Sequence, residues 1–190
     1  MVTEDNKDHT PEETAKVVSS RMLYNGREIK FRVDSVVTPC GHAAQQELLI
    51  YPPSVCIAAH TEDARFILIR QYRHSTGEVI WEAPAGKILP GETPEDGARR
   101  ELEEETGYRS AQWEKLFEGF TAPGISTEKM YFFLARAVTS GPRRLDDDES
   151  IQVYEVAAED VRNMLINGDI QDVKTALVLH LALKKLQERS

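Results

Sequence analysis

Only two cysteines, Cys40 and Cys56, occur among 190 residues. That is too few for a disulfide framework, and they lack the spacing of metal-ligand pairs, so free thiols in a reducing cytoplasm are expected. Histidine is also sparse, with five in all. His60, His74 and His180 stand far apart with no His-x3-His pairing, which argues against zinc. Positive charge is in deficit, since 23 Lys and Arg face 32 Asp and Glu for a formal net charge of -9. Such a balance offers no general attraction to nucleic acid or to an anionic membrane, and neither is expected as a partner. Long apolar runs are missing as well: the longest, around Ala176 to Leu183, is broken by His180 and is far too short to span a bilayer. The opening stretch MVTEDNKDHTPEET is acidic and polar, with no basic region leading into an apolar one. There are no repeats or low-complexity segments. A soluble, cytoplasmic protein is the expectation. Hydrophobic content of 41% and charged content of 29% are ordinary for a globular chain, and the length fits one domain with a short extra element.

What is present concentrates in residues 86–108, GKILPGETPEDGARRELEEETGY. Its second half reads as a helix. Thr93 suits the N-cap, Pro94 a first-turn position, and Glu95 and Asp96 place negative charge at the positive end of the dipole. Gly107 stands where a left-handed residue usually ends a helix. The inward side is thin, with Ala98, Leu102 and Thr106 at four-residue steps. Glu101, Glu104 and Glu105 share one face at i, i+3 and i+4, a spacing at which like charges repel. A solvated acidic face is the bland explanation of such a run. A hard divalent cation is the sharper one, because carboxylate oxygens are the ligands Mg²⁺ or Mn²⁺ prefers.

Along the rest of the chain, residues 1–14 read as a flexible tail. Val17 to Tyr24 and Ile29 to Thr38 are strand-like runs separated by Asn25-Gly26, a strong hairpin signal. Gln45 to Tyr51 follows and stops at Pro52-Pro53. Residues 15–52 are expected as an N-terminal β-sheet module, a simple extension of the core sheet being the alternative, and 53–190 as the main domain. Within the latter, Val55 to His60 and Phe66 to Tyr72 are apolar enough for burial on both faces. Further strands are expected at Val79 to Ala83, Trp113 to Phe120, Lys129 to Ala137 and Ile151 to Val156. Helices are expected at Ala158 to Asn167 and from Val173 to about Glu188. The class is α+β, a mixed β-sheet sandwiched between helices, with an extra N-terminal antiparallel sheet. Trp81, Trp113 and His180 are expected as packing residues.

Gly86, Glu92, Arg100, Glu101, Glu104, Glu105 and Gly107, with Leu102 and Tyr108 at the apolar positions, match G-x5-E-x7-R-E-U-x-E-E-x-G-U, where U is apolar or aromatic. The chain therefore resembles the Nudix hydrolases, and seven fixed positions make that a specific signal. Pro123, sixteen residues beyond Gly107, resembles a feature of the family's ADP-ribose pyrophosphatase branch. So do Arg70-Gln71-Tyr72-Arg73, Glu82-Ala83-Pro84-Ala85-Gly86-Lys87, the loop Pro123 to Glu128, and Gly168-Asp169-Ile170-Gln171-Asp172. The resemblance covers roughly residues 45–185 and implies the Nudix fold.

It also implies Mg²⁺-dependent hydrolysis (Mn²⁺ being possible) of ADP-ribose to AMP and ribose 5-phosphate, by a homodimer whose N-terminal strands complete the partner's site. Glu101, Glu104 and Glu105 would hold metal with the backbone carbonyl of Ala85, Glu104 counting among the catalytic residues. Arg100 and Glu92 would brace the motif. Arg73 would approach a phosphate or the terminal ribose, with a surface ion pair as the alternative. Glu82 would accept from the adenine amino group or a ribose, or else be a paired acid. Arg70 joins them as a substrate-binding residue, and Glu128 would contact a ribose or be an ordinary loop acid. The general base would come from the acidic loop Asp146 to Glu149. Asp147 and Glu149 fall where the branch carries glutamates; one would take the water's proton and the other assist a metal. Glu149 has the longer reach and is favoured, whereas aspartate at 147 departs from the branch. Two rivals remain: a GDP-mannose or other nucleotide-sugar diphosphatase, and a non-catalytic ADP-ribose sensor.

Overall fold

The computed structural model describes residues 13–141 and 151–188. The chain divides into two compact units, one of residues 1–52 and 120–128, the other of 53–119 and 129–190.

In the first unit, β1 (Lys16–Asn25), β2 (Lys30–Val37) and β3 (Ala43–Ile50) form an antiparallel sheet in that order. Asn25 pairs with Lys30, so the first hairpin closes through four residues, with Gly26 N–H donating to the Ile29 carbonyl at 3.0 Å. Asn25-Gly26 does not make the two-residue turn typical of that dipeptide. The exposed Tyr24 ring lies over Gly26, where a Cβ would meet it at 2.4 Å and have to displace it. The segment 120–128 is tied to β3 by Leu49 N–H to the Ile125 carbonyl at 2.7 Å and by Thr127 N–H to the Leu49 carbonyl at 3.0 Å. Strand β1 is exposed throughout, including Val17, Val18, Met22, Leu23 and Tyr24, and it lies at the edge of its sheet.

The second unit holds a seven-stranded mixed sheet built from β4 (Ser54–His60), β5 (Arg65–Arg73), β6 (Glu78–Glu82), β7 (Ala85–Lys87), β9 (Gln112–Phe120), β10 (Lys129–Arg136) and β12 (Ile151–Ala157). Its main path runs β12-β5-β4-β10-β9, with β6 paired to β5 and β7 to β4. The β4–β10 pair is parallel; β4 pairs with β5 and β7 antiparallel. A small ladder joins β8 (Tyr108–Arg109) to β11 (Thr139–Ser140).

Alternation along β4 sorts the core into two layers. Cys56 and Ala58, with Phe66, Leu68, Phe132 and Leu134, pack under α2 (Ala158–Asn167) and α3 (Val173–Gln187) through Val161, Val178, Leu179, Ala182 and Leu183. Val55, Ile57 and Ala59, with Ile67, Phe133 and Ala135, pack under α1 (Pro94–Thr106) through Ala98 and Leu102. The sheet is therefore sandwiched between helices. The apolar runs of β4 and β5 are buried on both faces, as their composition requires.

The caps of α1 follow its sequence. Thr93 accepts from Asp96 N–H, and Gly107 closes the helix at φ 77° with its N–H on the Glu103 carbonyl. One packing expectation changes. His180 is exposed on α3, with its Nδ1 2.9 Å from the Ala176 carbonyl, because the apolar run of that helix buries only the side carrying Val178, Leu179, Ala182 and Leu183. Among the described residues no helix is long and apolar enough to cross a membrane.

Candidate active site

The 86–108 stretch folds as a loop and helix pressed against β7. Glu105 is buried at 3% exposure in the last turn of α1, and its Oε2 accepts the Ala85 N–H at 2.9 Å. One turn earlier, the Glu101 carboxylate lies over Gly86. A Cβ on residue 86 would come within 2.0 Å of that carboxyl carbon, so only glycine lets the acid rest on the strand.

Arg100 gathers the remaining acids. Its Nε and Nη2 form a fork with Glu92 at 2.8 and 3.1 Å, and Nη1 donates to Glu101 Oε1 and Glu104 Oε2 at 2.8 Å each. Nη2 also donates to the Lys87 carbonyl at 2.7 Å. Glu92 in turn accepts the Leu89 N–H at 2.9 Å, so one ion pair staples loop, strand and helix together. The fork with Glu92 is the chief reason the guanidinium pKa is pushed up and the Glu92 carboxyl held below its ordinary value. This is the bracing that the motif led us to expect of both residues.

The donors are all hard oxygens: three glutamates on one helical face, beside the strand that carries the Ala85 carbonyl. With Gly86 opening room for the Glu101 carboxylate, the set has the chemistry of a Mg²⁺ or Mn²⁺ site. Among the described residues no three His, Cys, Asp or Glu side chains form a closed metal cage. Instead, Glu101 and Glu104 each give an oxygen to Arg100, and Glu105 gives one to the Ala85 amide. Asp147 and Glu149 lie outside the described residues.

A second polar cluster sits at the end of β6. Glu82 is buried at 1% exposure; Arg73 grips both its oxygens at 2.6 and 2.9 Å, and Lys174 Nζ reaches Oε2 at 2.5 Å. Burial is the largest influence on its pKa and acts upward. The bonds and charges of Arg73 and Lys174 outweigh it, leaving the carboxyl below its ordinary value. In this structure Glu82 is thus a paired acid, and Arg73 is its partner. Arg70 stacks its guanidinium over Trp81 at 5.3 Å, with a buried Nε that meets no acceptor among the described residues. Glu128, in the other unit, accepts the Thr121 hydroxyl at 2.8 Å.

Two members of this cluster, Lys174 and Thr175, were not singled out from sequence. A signal existed: Asp172 caps α3, and a lysine in the first turn of a helix opposes the dipole unless an acid holds it.

A family model described as "NUDIX domain" matches residues 50–175, and the chain belongs to the Nudix family. It is 36% identical over 173 residues to the ADP-ribose pyrophosphatase of Bacillus subtilis (strain 168), covering 90% of this chain and 94% of that protein. It is 32% identical over 166 residues to the methanol dehydrogenase activator of Bacillus methanolicus, covering 86% and 90%. It is 37% identical over 127 residues to the GDP-mannose pyrophosphatase of Yersinia pestis (strain Pestoides F), covering 61% of this chain and 63% of that one. In fold it is similar to a crystal structure of an ADP compounds hydrolase, with a TM-score of 0.83 at 21% identity, covering 93% and 96%.

Proposed function

We propose that this protein hydrolyses the pyrophosphate bond of ADP-ribose and related ADP-sugars, giving AMP and ribose 5-phosphate from the former. The observation that carries the reading is the box geometry itself. Glu105 is locked to the strand amide of Ala85, Glu101 lies over Gly86, and Arg100 braces both Glu101 and Glu104. Likeness to the B. subtilis enzyme over nine-tenths of the chain supports the substrate class.

Glu101, Glu104, Glu105 and the Ala85 carbonyl would hold Mg²⁺, whose bound charge neutralises the diphosphate and favours attack by water. The protein's own part is positioning. Arg100 and Glu92 fix the loop against the helix, so the acids stand ready before substrate arrives. In hydrolysis a water oxygen forms a new bond to one phosphorus while the bridging P–O bond breaks, its electron pair leaving on the other phosphate. Glu149, or Asp147, takes the water's proton. Arg73 joins the substrate's phosphate or ribose by its exposed edge, with Glu82 holding the guanidinium in place, and Arg70 and Glu128 are the further substrate-binding residues of this proposal.

The N-terminal strands form the dimer contact in this proposal, which the exposed apolar edge strand β1 supports. Free Cys40 and Cys56 suit a reducing, cytoplasmic setting. GDP-mannose is the second reading, favoured by the similarity to the Yersinia protein.

The test is product analysis with Mg²⁺ on ADP-ribose, GDP-mannose and NADH at equal concentration. AMP released fastest from ADP-ribose, and lost in Glu105→Gln, is the expected result. Preference for GDP-mannose overturns the specificity, and binding without turnover of any substrate overturns the enzyme.

A further inference from the structure

Between β6 and β7 the chain passes through Glu82, Ala83, Pro84 and Ala85, and each of the four is held by a different partner. The Glu82 carboxylate is gripped by Arg73 and Lys174. Ala83 N–H donates to Thr175 Oγ1 at 2.8 Å, the Pro84 carbonyl accepts Ile57 N–H at 2.9 Å, and Ala85 N–H donates to Glu105 at 2.9 Å. The grip on Ala83 comes from the first turn of α3. Thr175 is fully buried, and its hydroxyl also donates to Asp172 Oδ2 at 2.5 Å. That oxygen further accepts Thr175 N–H at 3.0 Å and Lys174 Nζ at 2.9 Å.

Helices α3 and α1 belong to the two opposite core layers of the sheet. The four residues therefore form a tie through the sheet, anchored to α3 at Ala83 and to α1 two residues later at Ala85. We propose that Thr175 and Lys174 are positioning residues for the metal site, setting from the far face the register in which Glu105 and the Ala85 carbonyl meet a cation. This rests on the divalent-metal reading of the glutamate face given above.

Both side chains also serve stability: valine at 175 would keep the volume but leave the buried Ala83 N–H without its acceptor, and loss of the Lys174 ammonium would take a partner from the buried Glu82 carboxylate. The metal affinity of the folded variants separates that cost from a positioning role. A half-buried lysine also carries a desolvation penalty, offset here by two carboxylates. What the hydroxyl and the ammonium supply is direction, and both are aimed at the strand end that leads into Ala85.

The experiment is titration of Mn²⁺ into wild type, Thr175→Val, Thr175→Ser and Lys174→Gln without substrate, followed by electron paramagnetic resonance, with kcat and KM for ADP-ribose measured beside it. Thr175→Val is expected to weaken Mn²⁺ binding by about tenfold to a hundredfold, the usual size for a lost outer-shell partner. Its kcat should fall while KM stays within about twofold, and Thr175→Ser should restore both. A folded Thr175→Val variant that binds Mn²⁺ like wild type overturns the proposal. If that variant does not fold, Lys174→Gln decides by the same titration: binding several-fold weaker sustains the proposal and unchanged binding overturns it. Wild type that binds no Mn²⁺ overturns this inference together with the metal reading. Wild type that binds Mn²⁺ but leaves ADP-ribose intact overturns only the substrate assignment.

Discussion

Helices α1 and α3 cover opposite faces of one sheet and are held there by different forces. α3 buries Val178, Leu179, Ala182 and Leu183 in a broad apolar layer. α1 buries only Ala98 and Leu102 as sizeable apolar contacts, beside Gly97, Thr106 and an ionisable Glu105. Burying a carboxylate is unfavourable unless it is hydrogen-bonded, so α1 has to be located by directional bonds. It is: Glu105 to Ala85, and Arg100 to Glu92 and to the Lys87 carbonyl. A helix held by volume should respond to changes of volume, and one held by direction to changes of single atoms.

The sharpest test of that contrast is the smallest chemical change. Glu105→Gln keeps the shape and leaves an oxygen for the Ala85 amide, but removes the charge. Turnover of ADP-ribose should fall by at least about a hundredfold, while the thermal midpoint moves little. A large drop in stability with activity retained would break the comparison. Next comes Leu179→Ala on α3, at a fully buried position. A loss of about 2–5 kcal/mol in urea unfolding is expected, with Mn²⁺ affinity of the folded protein unchanged. Weakened metal binding there would mean that the α3 layer controls the site by bulk packing as well as by its polar first turn.

Acid should discriminate the two faces more gently. The Glu92 and Glu82 carboxyls sit below their ordinary value of 4.5 in the folded protein, Glu92 chiefly through its bonds to Arg100. Stability they contribute is fully present above about pH 4.5 and is lost as pH falls through the lowered values, because the unfolded chain takes up those protons first. Arg100→Gln should therefore flatten the fall in unfolding free energy below pH 4.5, as measured by urea titration at a series of pH values. An equally steep fall in the variant would show that other acids govern it.

How much of this was legible in the chain depends on which force did the holding. Helix α1 could be read from its caps and α3 from its apolar period, because both signals are local. The Glu92–Arg100 brace was likewise within reach of the motif. Strand β7 was not, since three residues with a central glycine offer no alternation, and Ala85–Lys87 is a strand only because β4 lies beside it. Nor were the partners of Glu82, although a paired acid was one of its two readings. Its partners Arg73 and Lys174 come from nine and ninety-two residues away, and no local pattern announces an ion pair closed at that range. Gly26 teaches a related point. The residue was conspicuous, but it stands under the ring of Tyr24 and not in a left-handed turn.

The smallest effect should come from Ile166, which lies in α2 above the same apolar layer as Leu179 yet is 81% exposed. If burial and not membership of a layer sets the energy, Ile166→Ser changes stability by no more than about 0.5 kcal/mol. For a chain of this length that is a shift of the thermal midpoint below roughly 2 °C. Scanning calorimetry at two protein concentrations measures it. A shift several times larger that shrinks with dilution would mean Ile166 is covered by a second copy in solution, and α2 would then have to be counted with β1 among the surfaces available for self-association.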